Sequence, residues 1–159
     1  PFLPRFGLCL PLVDAQTVHY LGQGPFENYA DKQAASYRAQ FSLDAGDFYE
    51  PYIKPQENGN RSQVLWLEVV QAPVLWQVQD QTPASSGLNF SLSPYSAQTL
   101  SQTSHRDQLP EPSGYYLNLD LAQSGLGTNS CGPALPDVYR ITGPSLSCYW
   151  TMAWRPLEN

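Results

Sequence analysis

The chain has 159 residues, of which 42% are apolar and 13% aromatic, with 15 Pro and 11 Gly. That length suits one domain that buries about 70% of its unfolded surface, and the composition is globular, not disordered. Eight Lys and Arg against 14 Asp and Glu give a net charge of −6, too few cations to neutralise nucleic-acid phosphate or to hold an anionic membrane surface. No run approaches the roughly 18 apolar residues of a transmembrane helix.

The first residues, PFLPRFGLCLPLVDA, carry an apolar run broken by Pro4 and Pro11, with no A-x-A cleavage pattern. A signal peptide is not expected, and without an initiating Met the chain reads as cut from something longer. Cys9, Cys131 and Cys148 are odd in number and lack C-x-x-C spacing, which argues against a disulfide framework and a zinc site. Free thiols suit a reducing compartment, so a cytoplasmic location is expected.

Strand patterns fill the chain in order. RFGLCLPLV at 5–13 alternates in part, with Pro11 marking an edge or a bulge, and TVHYLG follows at 17–22. SYRAQFSL at 36–43 has period two, with Tyr37, Ala39, Phe41 and Leu43 on one face. YEPYI at 49–53 reads as a short aromatic strand. QVLWLEVVQ at 63–71 and VLWQVQ at 74–79 read as a hairpin across Ala72-Pro73. LNFSL (88–92), YYLNLDL (115–121, with Tyr115, Leu117, Leu119 and Leu121 inward), DVYRI (137–141) and SLSCYWTMAW (145–154) complete about ten strands. One short helix is predicted, with Ser93 as N-cap and Pro94 at its first position. The result is a single all-β domain over residues 1–159, a sandwich of mostly antiparallel strands.

Chemistry is sparse. A retaining glycosidase needs two carboxyls about 5 Å apart. Glu27 and Glu57, each followed by Asn, could be such a pair gathered from two loops. Alternatively each glutamate caps a turn, and Asn58-Gly59 is a strong turn signal in its own right. His19 and His105 are the only imidazoles and could act as acid or base, or be structural. A nucleophile elbow, metal-ligand spacing and a phosphate cradle are all missing. Trp66, Trp76, Trp150 and Trp154 could stack on sugar rings, although most should fill the core, and Trp150 and Trp154 share a face.

YLGQGPFENYADK at 20–32 is similar to the W-x-G-x-G-P-x-E-N-Y-x-D-R pattern of the C-terminal domain of bacterial family 2 β-galactosidases. The same order continues through Phe48–Tyr52, the turn Pro55-Gln56-Glu57-Asn58-Gly59-Asn60-Arg61, the stretch from Tyr95 to His105, Tyr116–Asp120, Gly125–Pro133 and Tyr139-Arg140. The resemblance spans residues 4–155. Ala30 and Lys32 depart from the family's Pro and Arg; a lysine gives up the bidentate fork of an arginine.

The resemblance implies part of a galactose-mutarotase-like β-supersandwich, in an enzyme that hydrolyses terminal β-galactosides such as lactose with retention. It places the catalytic glutamates in a separate barrel domain, with Mg and Na or K also in other domains, and implies a homo-oligomer. No catalytic or metal residue is then expected in this chain, which lacks the Asn-Glu pair of the family's acid/base. Glu27, Asn28, Tyr29, Asp31, Glu57, Asn58 and Arg61 become structural motif residues, with a local ion pair between Asp31 and Lys32. Asn129, Ser130 and Cys131 fall on the loop that in the family closes over the substrate. Cys131 would offer a small apolar contact where other members stack a Trp. Two other readings follow from the same residues: a stand-alone galactoside-binding module, and an aldose 1-epimerase by fold analogy.

Overall fold

The structure, a computed structural model, describes residues 2–83, 86–127, 133–143 and 147–157. Its strands are β1 (Arg5–Leu12), β2 (Thr17–Gly24), β3 (Tyr37–Asp44), β4 (Arg61–Val64), β5 (Trp66–Gln71), β6 (Val74–Asp80), β7 (Leu88–Ser93), β8 (Tyr115–Gln123) and β9 (Trp150–Pro156). One α-helix, α1 (Ala97–Gln102), is present among the described residues, with three short 3-10 turns. The strands form two antiparallel sheets, β1-β8-β7-β4 and β3-β2-β5-β6-β9. The chain is an all-β sandwich.

Alternation explains which side chains fill it. Val18 and Tyr20 of β2, Leu67 and Val69 of β5, and Val78 of β6 point inward from the five-stranded sheet. Phe90 and Leu92 of β7, with Leu117 and Leu119 of β8, meet them from the other. Tyr20 lies at the centre, stacked on Phe41 at 5.1 Å and edge-on to Phe90 at 5.2 Å. Phe48 closes one end, 5.5 Å from Phe90. Each such side chain stabilises by about 1.5–3 kcal/mol relative to exposure.

The expected strand 63–71 is two strands in different sheets. The chain crosses from one sheet to the other at Leu65, whose N–H bonds Leu21 O at 2.9 Å. Gln63 turns the corner at φ 54°, and Gly22 lets β2 come close, since a Cβ there would sit 2.6 Å from Val64 Cγ2. The expected strand at 49–53 is irregular. Pro51 has no N–H to give a ladder, and Tyr52 instead bonds Glu50 O at 2.8 Å. The 137–141 stretch is also not a strand: Asp137–Tyr139 form a 3-10 turn and only Ile141 bridges, to Leu3. The helix starts later than expected. Ser96, not Ser93, is its N-cap, accepting from Thr99 N–H at 3.0 Å. The last strand begins at Trp150; 147–149 of the expected strand are outside it, and 145–146 lie outside the described residues.

One side of the sandwich is open. β1 and β9 are edge strands of their sheets. Leu8 of β1, opposite Leu119, is 49% exposed, and Met152 and Trp154 of β9, opposite Val78 and Trp76, are 43% and 65% exposed. Inward-facing apolar side chains thus run out beyond the cover of the opposing layer.

Candidate functional site

The chain leaves β2 at Gly24 and turns through Phe26 and Asn28, while the loop before β4 runs back past it. Asn28 joins the two. Its backbone N–H bonds Asn60 O at 2.8 Å, its Oδ1 accepts from Ser62 N–H at 2.9 Å, and its Nδ2 donates to Gln23 O and Phe26 O at 3.1 and 2.9 Å. Asn60 Nδ2 returns a bond to Asn28 O at 2.7 Å. Asn58 shapes the second loop from within, accepting from Glu50 N–H at 3.0 Å and donating to Gln56 O at 2.9 Å. These asparagines are buried, and their amides satisfy backbone groups of the turns and of the adjoining strand ends.

Glu27 sits between the two loops. One carboxylate oxygen accepts from Gly59 N–H at 2.8 Å, and the other takes Lys32 Nζ and Tyr52 Oη. Burial alone would raise its pKa, but the hydrogen bonds from Lys32, Tyr52 and the Gly59 N–H outweigh burial and hold it below the ordinary carboxylate value. Gly59 is at φ 77°, and a Cβ there would meet Phe48 O at 2.1 Å, so the position requires glycine.

Glu57 faces a different group. It accepts from Arg5 Nη1 at 3.0 Å and from Tyr29 Oη at 3.4 Å. Arg5 also grips Asp120, with Nε 3.2 Å from both carboxylate oxygens and Nη2 closing the fork. Burial raises the Glu57 and Asp120 pKa values, and Arg5 opposes it in each. Tyr29 is fully buried, which raises its phenol well above the ordinary value. Arg61 is also enclosed, at 1% exposure, with its guanidinium 4.9 Å from the Phe48 ring centroid and Nη1 donating to Gly59 O at 3.0 Å. Burial lowers its pKa.

This arrangement decides how the glutamates are used. Both oxygens of Glu27 and of Glu57 are engaged by protein donors, and the cavity beside Glu57 is only ≈ 10 Å³. That holds a water at most, not a pyranose. Glu27 thus joins the two motif loops, and Glu57 joins the second of them to Tyr29 and to Arg5 of β1. Neither histidine bonds either of them: His19 lies on β2 opposite Glu68, and His105 is exposed beside a 3-10 turn. Among the described residues, no three His, Cys, Asp or Glu side chains gather as metal ligands. No described helix is long and apolar enough to cross a membrane.

The expected Asp31–Lys32 ion pair does not form. Lys32 turns to Glu27, and Asp31 accepts the N–H groups of Leu126 and Gly127 at 3.0 and 2.8 Å. Adjacent turn residues point apart, so each finds a partner elsewhere. Asp31 thereby fixes the backbone that leads into 128–132. Asn129, Ser130 and Cys131 themselves lie outside the described residues. Sequence reasoning does not single out Arg5, Lys32, Tyr52 and Asp120 as site residues. Asp120 carries a usable signal, a charge on a strand that is otherwise uncharged.

The family model for the β-galactosidase small chain matches residues 1–152. The chain belongs to the β-galactosidase small-chain family. It is 39% identical over 143 residues to a β-galactosidase of Staphylococcus xylosus, covering 89% of this chain and 14% of that protein. A β-galactosidase of Actinobacillus pleuropneumoniae is 37% identical over 142 residues, and one of Oenococcus oeni 36% over 144, each with 89% of this chain and 13% of the relative covered. The small-chain sequence thus spans about one-seventh of the curated relatives it matches. The interlocked Asn28, Glu27, Glu57 and Arg61 sit inside the matched region, where they organise its loops.

Proposed function

We propose that this chain is a supporting domain of a β-galactosidase that hydrolyses terminal non-reducing β-D-galactosides such as lactose with retention of configuration. The observation that carries this reading is the state of its carboxylates. The relatives are named β-galactosidases, yet both carboxylate oxygens of Glu27 and of Glu57 here are bonded to protein donors, and the cavity beside Glu57 is only ≈ 10 Å³. The reacting carboxylates would then belong to another domain, as would the family's Mg and Na or K.

The domain's part is to position. Asp31 holds Leu126 and Gly127, which precede in sequence the Asn129, Ser130 and Cys131 that we assign to the substrate side of the intact enzyme. The exposed apolar side chains on the edge strands β1 and β9 support docking against the rest of the enzyme. The Cys9 and Cys148 thiols are free, in keeping with a cytoplasmic enzyme.

The test is hydrolysis of an aryl β-galactoside by the chain alone, by a parent enzyme lacking this region, and by their mixture. Turnover only in the mixture is expected. Turnover by the chain alone would return Glu27 and Glu57 to the chemistry and overturn the proposal.

A further inference from the structure

The outer face of the five-stranded sheet carries a group of side chains that neither the core nor the motif loops use. On β5, Leu67 and Val69 point into the sandwich, so Trp66 and Glu68 project to the other side. The register aligns two cross-strand rows there: Leu21, Trp66, Gln79 and Thr151 in one, His19, Glu68, Gln77 and Ala153 in the other. Long side chains on β5 and β6 stand beside the short Thr151 and Ala153 of the edge strand β9. The step between them forms a groove of ≈ 340 Å³. Leu67 and Val78 border it with backbone alone, because their side chains are 1% exposed in the core.

The polar heads in the groove are organised. Gln77 Nε2 donates to Glu68 Oε1 at 2.6 Å, which orients both groups. A carboxylate offers about four lone-pair sites and an amide carbonyl two, so the pair keeps acceptor capacity for hydroxyl donors. Gln79 adds an amide directly across from Trp66. The indole is half-buried. Among the described residues no Lys or Arg lines the groove.

We propose that this groove is a carbohydrate subsite for a neutral oligosaccharide. The Trp66 ring stacks on the C–H face of one pyranose, and Glu68, Gln77 and Gln79 take its hydroxyls. The single carboxylate and absent cations select against phosphorylated or otherwise anionic sugars. Its volume of ≈ 340 Å³ falls within the roughly 300–1,000 Å³ range of small-ligand sites. The subsite needs no hydrolysis by this chain. It also lies on the sheet opposite to the one that holds Arg5 and Asp120, so it stands independently of the reading above.

The 159-residue chain, labelled with ¹⁵N, is titrated with lactose and separately with galactose 6-phosphate. A saturable shift of the Trp66 indole N–H with lactose is expected, with a Kd of the order of 1 mM, and none with the phosphorylated sugar. Trp66→Ala should abolish binding, and Gln77→Ala should weaken it about fivefold, both with unchanged circular dichroism. If Trp66→Ala does not fold, Gln77→Ala and Gln79→Ala carry the test, since both project from the surface. No saturable shift with lactose, equal binding of the phosphorylated sugar, or full binding by the variants would overturn the proposal. Lactose binding with no activity in the mixing experiment would refute the proposed function and leave the subsite standing.

Discussion

Replacing Glu27 by alanine should unfasten the two motif loops. The Gly59 N–H would be left buried without an acceptor, at about 1–3 kcal/mol, and the Tyr52 hydroxyl would lose a bond to a charged group, at about 1.5–3 kcal/mol. Lys32 is half-exposed, so its pair adds little, about 0.5 kcal/mol. A loss of about 3–6.5 kcal/mol follows, a large share of the roughly 5–15 kcal/mol that holds a domain together. Urea unfolding of the chain measures it, and Glu27→Gln should lie between, because its amide oxygen still serves Gly59. The pH dependence gives a second check. Glu27's folded pKa lies below its ordinary 4.5, so its contribution is present above that value and is lost as pH falls through the folded pKa. Glu57 and Asp120 run the other way: their folded values are raised, so each takes stability away as pH climbs from the unfolded pKa to the folded one. The gap between wild type and Glu27→Gln should therefore be widest near neutrality and shrink on acidification. A loss below about 1 kcal/mol for the alanine variant, or a gap that widens in acid, would refute the account of Glu27 as a loop tie.

Asp31→Ala should strip hydrogen-exchange protection from the Leu126 and Gly127 amides while leaving β2 and β5 protected; unchanged exchange at those two amides would count against the anchoring role. Gly59→Ala should cost about 3 kcal/mol or more, because the left-handed backbone and the Phe48 carbonyl both oppose a methyl group, and thermal melting reads it directly. The isolated chain should self-associate through its open side, and Trp154→Lys should make it monomeric by light scattering with little change in melting temperature. A wild-type chain that is already monomeric at high concentration would show that the exposed β9 stripe needs no partner.

The parts of the fold visible in the sequence are those where one face alone decides the pattern. Ala39, Phe41 and Leu43 of β3 and Leu117 and Leu119 of β8 turn inward as expected, whereas Tyr37 is 60% exposed and on β8 Asp120 is buried beside a half-buried Leu121. Where tertiary contacts decide, local reading fails. QVLWLEVVQ has no feature that announces a change of sheet at Leu65; the crossing depends on Gly22 and Gln63, residues whose roles appear only when β2 and β4 approach. The aromatic run at 49–53 has strand composition, but its tyrosines serve other contacts, Tyr49 packing on Tyr95 and Tyr52 bonding Glu27. The motif residues are recognisable by order and spacing, and their enclosure is not. Glu57 meets Arg5 across 52 positions and Asp31 meets Gly127 across 96, separations that local chemistry cannot read.

The pairing of β1 with β8 sets the order in which the molecule can assemble. β2 with β3 and β5 with β6 are neighbours along the chain and can zip early, whereas β1 waits for a partner about 115 positions away, the separation of Arg5 from Asp120. Until then Leu8, Cys9 and Leu10 face solvent on an unpaired strand. Such distant closure slows folding toward the millisecond-to-second range and gives a waiting chain time to find the wrong neighbour. The Arg5 clasp on Asp120 and Glu57 is then the last stitch, formed only when nearly the whole domain has been made.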